Sequence, residues 1–264
     1  MIRKPYVYQL FKGSSNLITR QTPLWRYMTF EKFCWLLETS KLYHTRLDQF
    51  RDPFEGAVTD FYAQMRDTGK IDPYFGLKEH EPLMFKEHRF RRFATCWHAS
   101  KDESDALWQL YASGGAGIAV ESTMECIQKA VDLTPYKSGI LGQVEYVDFE
   151  THDMLIDRSP HNVIQLGYLK RKSFEHEKEV RGIIIKDHIV EGGIFNFDDA
   201  YIEKQRVEQP VGITAKVDLK ELIKSIVISP SASHFVEELV NIVTERHGLQ
   251  HLVRRSKLLG NPVY

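Results

Sequence analysis

Cysteine is nearly absent from this chain of 264 residues: there are three, Cys34, Cys96 and Cys126, far apart and never in a CxxC pair. That scarcity excludes a disulfide framework and a cysteine-rich zinc centre, and it predicts a reducing, cytoplasmic setting. An excess of one charge is missing as well. Lys plus Arg number 35 against 36 Asp plus Glu, a net charge of -1, so any grip on nucleic acid has to come from a local patch. No apolar run of signal-peptide length opens the sequence, and the longest uncharged stretch, Ala106–Val120, is interrupted by glycines and shorter than a bilayer span. No targeting segment and no membrane insertion are therefore expected. The 16 glycines and 10 prolines are scattered rather than gathered into a linker, and no repeat is visible, which predicts a single domain over 1–264. A hydrophobic share of 42% with 27% charged residues excludes a chain that is disordered throughout.

What is present reads as a mixture of strands and helices. Leu24–Met28 has strand character, and Thr29 then caps a helix with Phe30, Phe33, Cys34 and Leu37 on one face. A strand follows over Lys41–Arg46, Asp48–Gly56 is rich in turn formers, Ala57–Arg66 is helical, and the charged segment 79–92 carries no clear period. Phe93–His98 alternates as a strand. Ser104 caps a helix that turns Leu107, Leu110 and Tyr111 inward and stops near Gly114, and Gly117–Glu121 is a short apolar strand. Further strands are expected over Val144–Phe149, Glu177–Ile185, Ile213–Val217 and Ser225–Ser229. Ser159-Pro160 opens a helix running to about Lys172, and a last helix from Ser233 puts Val236, Leu239, Val240 and Val243 on one face before Arg246-His247-Gly248 ends it. Without a regular βαβ rhythm the class is α+β, one domain with a mixed, mainly antiparallel sheet and flanking helices.

The densest chemistry lies in Phe174-Glu175-His176-Glu177-Lys178-Glu179-Val180-Arg181. Read as a strand, it puts Glu177, Glu179 and Arg181 on one face, the carboxylates about 7 Å apart, twice the strand rise. Such a pair repels unless a cation or ligand intervenes, which suits acid/base or ligand work; the plain alternative is a solvated strand edge salt-bridged by Arg181. In Phe50-Arg51-Asp52-Pro53-Phe54-Glu55-Gly56 the expectation is a turn that borders the main pocket, with Phe54 buried beneath it and Asp52 and Glu55 presented at its tip. Cys96-Trp97-His98 lacks a second pair of metal ligands and reads as a core cysteine and a hydrogen-bonded histidine. Gly114-Gly115-Ala116-Gly117 follows a helix and leads into a strand, the reverse of a phosphate cradle, so it is a helix stop. The basic clusters Arg89-Phe90-Arg91-Arg92, Lys170-Arg171-Lys172 and Arg254-Arg255 could together make a phosphate-binding surface, with Phe90 stacking on a base.

Trp25-Arg26-Tyr27, Leu42-Tyr43 leading into Phe50–Gly56, Leu107-Trp108-Gln109-Leu110-Tyr111 running into Gly117–Glu121, and Glu177–Arg181 together resemble the bacterial domain of unknown function 2971 family over most of the chain. That label carries no activity. A second resemblance does: an arginine on an early strand, a hydroxyl residue on a later one and a Glu-x-Glu on a late strand are similar to the R-S-E arrangement of ADP-ribosyltransferases. Arg26, Thr45 and Glu177 with Glu179 fill those places. The Ser-Thr-Ser triplet is replaced by Tyr43-His44-Thr45-Arg46, where His44 is similar to the histidine of the H-Y-E branch.

The resemblance implies an ADP-ribosyltransferase-like fold and a protein that cleaves NAD, its substrate, and transfers ADP-ribose to a macromolecular acceptor, protein or nucleic acid. It implies a toxin or antiphage effector, with an antitoxin or other regulatory partner and no metal. Glu179 would be the catalytic carboxylate and Glu177 the activator of the acceptor; Arg26 and Arg181 would bind the dinucleotide, and His44 and Thr45 would orient its nicotinamide half. Two other classes stay open. One is a non-catalytic binding module, and the other is a metal-dependent nuclease or phosphohydrolase using Asp52, Glu55 and Glu179.

Overall fold

The run Arg92–Ala99 alternates Phe93, Thr95 and Trp97 with Ala94, Cys96 and His98, the period of a strand, and the sheet is organised around it. The structure, a computed structural model, describes residues 8–10, 18–72, 81–112, 114–154, 164–186 and 198–258. Its strands are β1 (Gln9–Leu10), β2 (Pro23–Thr29), β3 (Lys41–Arg46), β4 (Arg92–Ala99), β5 (Gly117–Thr123), β6 (Val131–Asp132) and β7 (Gly139–Gln143), then β8 (Glu145–Val147), β9 (Leu169–Arg171), β10 (Glu179–Ile185), β11 (Gly212–Val217), β12 (Ser225–Ile228) and β13 (Val253–Arg255). Eleven of them form one sheet in the order β1-β7-β10-β4-β2-β5-β12-β13, with β3 beside both β4 and β11, and β6 beside β11. Most pairs are antiparallel; β1–β7, β12–β13 and the separate pair β8–β9 are parallel. The protein is an α+β domain with a mixed, mainly antiparallel sheet.

One face of the sheet carries the main core. Helix α1 (Phe30–Thr39) turns Phe33, Leu36 and Leu37 onto Leu24, Leu42, Trp97 and Val180, and the helix His234–Arg246 adds Val240. Each fully buried Leu or Phe there contributes roughly 1.5–3 kcal/mol. The other face holds smaller clusters under α2 (Asp60–Asp67), α3 (Glu81–Phe90) and α4 (Asp105–Tyr111), among them Trp25, Tyr27, Leu107 and Trp108. Ser104 caps α4 by accepting from the Leu107 amide, and Gly114 and Gly115 at positive φ end it. Among the described residues no helix is long and apolar enough to cross a membrane.

Several expectations need correction. Leu107 and Trp108 are buried, but Leu110 and Tyr111 are half exposed, at the mouth of the cleft described below. Leu239 on His234–Arg246 is exposed as well, and Thr29 starts α1 without a side-chain cap. The helix expected from Ser159 begins outside the described residues. Where it should continue, the chain makes a 3-10 turn at Leu166–Tyr168, strand β9 and a second 3-10 helix at Lys172–Glu177. The segment without a period divides into α3 and the start of β4.

Candidate functional site

Strand β4 is paired with β10 along its length, from His98–Glu179 to Arg92–Ile185. On its other edge it meets β2 only at Leu24–Ala99 and Trp25–His98, and β3 only at Thr45–Ala94 and Arg46–Phe93. β2 swings away to pair with β5, and β3 leaves to pair with β11. The sheet therefore forks, and among the described residues β4 has no strand on this second edge at Thr95, Cys96 and Trp97. Backbone groups at such an opening need other partners. Arg26 supplies one, donating through Nη1 to Thr95 Oγ1 and, at 3.5 Å, to the Cys96 carbonyl.

A cleft of about 1390 Å³ runs through this fork, larger than the roughly 300–1,000 Å³ of ordinary small-molecule sites. Its aromatic walls include Trp35, Tyr43, Phe50, Tyr111 and Phe174. Of the four tryptophans, Trp25, Trp35 and Trp97 line the cleft, and Trp108 packs edge-on against Tyr27 of its wall, 4.9 Å between ring centres.

One wall is charged. Glu179 and Arg181 of β10 share the cleft face with Cys96 and His98 of β4. Lys170 of β9 reaches the same place, its Nζ 3.1 Å from Glu55, 2.6 Å from Glu177 and 3.2 Å from Glu179. Arg181 donates to both oxygens of Glu179, from Nε at 2.9 Å and Nη2 at 2.8 Å. Its Nη1 donates to the Gly167 carbonyl at 2.9 Å and stands 2.7 Å from Glu55 Oε2, an ion pair rather than an aligned hydrogen bond. Formally three carboxylates face two cations. Glu177 is the most accessible of the three, its side chain 13% exposed against 1% for Glu55 and 5% for Glu179, and it also accepts from the Tyr111 hydroxyl at 3.2 Å.

The electrostatics follow from burial and these pairings. Burial works to raise the Glu179 carboxyl, but Arg181 and Lys170 outweigh it and hold the group well below the usual range, so it stays ionised. Burial also pulls the Lys170 ammonium down, and Glu179 and Glu55 more than restore it. Cys96, hydrogen-bonded to Glu179, is pushed up first by burial and then by that charge, and remains a thiol rather than a nucleophilic thiolate.

The residues singled out in the sequence divide accordingly. Arg26, Thr45, Glu177 and Glu179 all line the cleft. By register Arg26 and Glu179 stand on opposite faces of the sheet, and they meet the same cavity only because the sheet is open between them. Glu177 does not belong to the strand: the chain turns at Lys178, whose φ of 40° is left-handed, and β10 begins at Glu179. The two carboxylates therefore converge on one ammonium instead of standing apart. His44 lies on the core face, does not line the cleft, donates from Nδ1 to the Leu42 carbonyl at 3.0 Å and accepts at Nε2 from the Tyr8 hydroxyl. Burial, with Arg26 second, lowers its pKa to about 3, leaving a neutral imidazole.

The Asp52–Glu55 turn borders the cleft, but its acids point inward. Asp52 accepts from Arg171 Nη2 at 2.8 Å and from the Phe54 amide at 3.1 Å. Phe54 is half-buried rather than beneath the turn, edge-on to Phe149 with the Arg171 guanidinium 4.5 Å over its ring. Asp52, Glu55 and Glu179, the acids of the metal-dependent alternative, are thus engaged by Arg171, Lys170 and Arg181, and no cluster among the described residues is spaced to hold a metal.

The basic clusters do not merge into a phosphate surface. Phe90 and Arg92 are buried, Arg91 pairs with Glu87, Arg89 donates to the Glu55 and Pro53 carbonyls, and Arg254 pairs with Glu103. The sequence reading named Lys170 only within a basic cluster, Tyr111 only on the inward face of a helix and Trp97 only between Cys96 and His98, and gave none of them a place at the charged wall or the cleft. Lys170 sat in a run of basic residues that reads as a solvated face, and nothing local marks it as a buried cation. No family model matches the chain, and neither a curated protein nor a solved structure matches it.

Proposed function

We propose that the cleft takes NAD, cleaves the bond between nicotinamide and ribose, and passes ADP-ribose to a macromolecular acceptor. The observation that carries this reading is the charged wall: an accessible carboxylate, Glu177, in formal excess over the cations beside it, at the edge of an aromatic cleft large enough for a dinucleotide. As nicotinamide leaves, the ribose carbon becomes cation-like, and a fixed carboxylate stabilises that centre more than it stabilises the ground state. Arg26 holds the anionic part of the ligand from the fork, and Thr45 orients the nicotinamide half.

Glu177 takes the catalytic role that the resemblance implies for Glu179. Both oxygens of Glu179 are taken by Arg181, with Lys170 on one of them, so its charge is largely spent inside the protein. Glu179 then positions Lys170, which in turn holds Glu177 towards the ligand. His44 has no part, since a neutral imidazole on the core face cannot reach the substrate.

The test is mass-spectrometric measurement of nicotinamide released from NAD by the purified protein. Glu177→Gln should slow release by about 100-fold or more, each 1.4 kcal/mol of lost transition-state stabilisation being about tenfold. Glu179→Gln should slow it less while lowering the melting temperature more. No release by the folded wild type would remove the reading. NAD binding without release would favour the non-catalytic binding cleft, which the saturation of Glu179 also supports.

A further inference from the structure

We infer that His98 is the general base of the transfer, its Nε2 taking the proton of a neutral hydroxyl acceptor, and that the acceptor is therefore an alcohol rather than a carboxylate or a guanidinium. The inference rests on the NAD cleavage proposed above and fills a place which that reading leaves open. With Glu177 given to the ribose cation and Glu179 spent on Arg181 and Lys170, neither glutamate is left to activate the incoming group.

His98 sits where β4 still has strands on both edges, opposite Trp25 of β2 and Glu179 of β10, and it lines the cleft. Its Nδ1 lies 2.6 Å from the Glu177 carbonyl oxygen. A carbonyl only accepts, so Nδ1 carries the hydrogen and the lone pair of the neutral ring is on Nε2. Nε2 has no partner among the described residues, yet it is not one of the sealed, unsatisfied atoms, so it opens to the cleft. One hydrogen bond therefore orients the base against the same residue whose carboxylate faces the ribose. Around the ring stand Tyr27 of β2, its ring centre 6.5 Å away, Glu179 of β10, and His176, Glu177 and Lys178 just before that strand, while α4 contributes Tyr111 to the same cleft. Burial lowers the pKa of His98 below the usual histidine value of about 6.5, so the ring is neutral at neutral pH.

The chemistry of the base selects the acceptor. As the bond from the ribose carbon to nicotinamide breaks, its electron pair leaves with the nicotinamide ring nitrogen. An acceptor oxygen then bonds to that carbon, its proton passes to Nε2, and the imidazolium returns the proton to water. A carboxylate acceptor carries no such proton, and Glu177 would repel it. A guanidinium, with a pKa above about 12, keeps its protons against an imidazole. The other candidate bases of the cleft are closed. Burial keeps Cys96 a thiol and Tyr111 a phenol that donates to Glu177, and His176 is exposed, with no partner among the described residues to fix its ring.

Product analysis by mass spectrometry, with the full chain and NAD, tests this. Methanol serves as the neutral acceptor and azide as an anionic one that needs no base, and the methyl and azido adducts of ADP-ribose are counted. His98→Asn keeps an N–H near the place of Nδ1 and removes the base, so it should raise the ratio of azide to methanol adduct at least about tenfold over wild type. In the wild type the methanol adduct should fall relative to the azide adduct as the pH drops from about 7 to about 5, where the imidazole takes up a proton, and the variant should lack this fall. A purely structural role for His98 would slow both adducts alike, and an unchanged ratio in folded His98→Asn would overturn the inference. So would a shift of the ratio in His176→Asn in place of His98→Asn. Should His98→Asn not fold, the wild-type pH profile decides, and a ratio independent of pH over that range would remove the base. Nicotinamide release with an unchanged ratio would keep the proposed reaction and remove only the role of His98, whereas no release by the folded wild type with any acceptor would remove both.

Discussion

The Lys170 ammonium lies within 3.2 Å of three carboxylates that would otherwise face one another across the cleft wall. Removing one partner from a buried ionic group leaves uncompensated charge and costs about 3–5 kcal/mol, so Lys170→Met should lose stability of that order in urea unfolding at neutral pH. The pH dependence follows from Glu179, whose folded pKa is depressed. Its contribution is complete above the unfolded value, roughly 4.3 for a glutamate, and is lost as pH falls through the folded value. In Lys170→Met the folded value moves back towards the unfolded one, so the variant loses less on acidification. The gap between variant and wild type should therefore narrow between neutral pH and about pH 3.5. A gap of constant size would show that the ammonium and Glu179 are not coupled.

At the scale of elements, the turn at Lys178 decides the shape of the charged wall. A non-glycine residue in the left-handed region costs about 1–2 kcal/mol, more if it is β-branched. Lys178→Gly should leave stability unchanged or raise it by up to about 1 kcal/mol, since relief of strain is offset by glycine's larger entropy loss. Lys178→Ile should lower it by about 1–2 kcal/mol, and equal thermal melts for the two variants would show that the strain is absent. This turn also marks where the sequence stops being legible. Strands β3 and β4 and the helix capped by Ser104 could be read from alternation and capping alone. Glu177-Lys178-Glu179 alternates as a strand would, and no Gly or Asn marks the left-handed residue. The phase of α4 misled for a related reason: Leu110 and Tyr111 are apolar at helical spacing, yet they face a cleft that exists only once β2 and β3 have parted.

Across the whole molecule the fork is a product of strand order, which no local pattern encodes. β4 takes β10 as its partner across a long stretch of chain that carries β5 to β9, and it loses β2 and β3 to β5 and β11, so the site is complete only when distant segments have paired. Ordering such non-local pairs pays the entropy of closing long loops before contacts repay it. Refolding is therefore expected in milliseconds to seconds rather than microseconds, measured by circular dichroism after dilution from urea; complete recovery within the first millisecond would contradict it.

The grouping of all four tryptophans around the fork has an optical consequence. Every indole emitter in the chain reports on the same few strands, so intrinsic fluorescence is a signal of the cleft rather than an average over the protein. A ligand that moves the Arg26 guanidinium, whose carbon lies 5.8 Å from the centre of the Trp97 ring, would alter that emission directly, and occupancy could be followed in unlabelled protein by its own light.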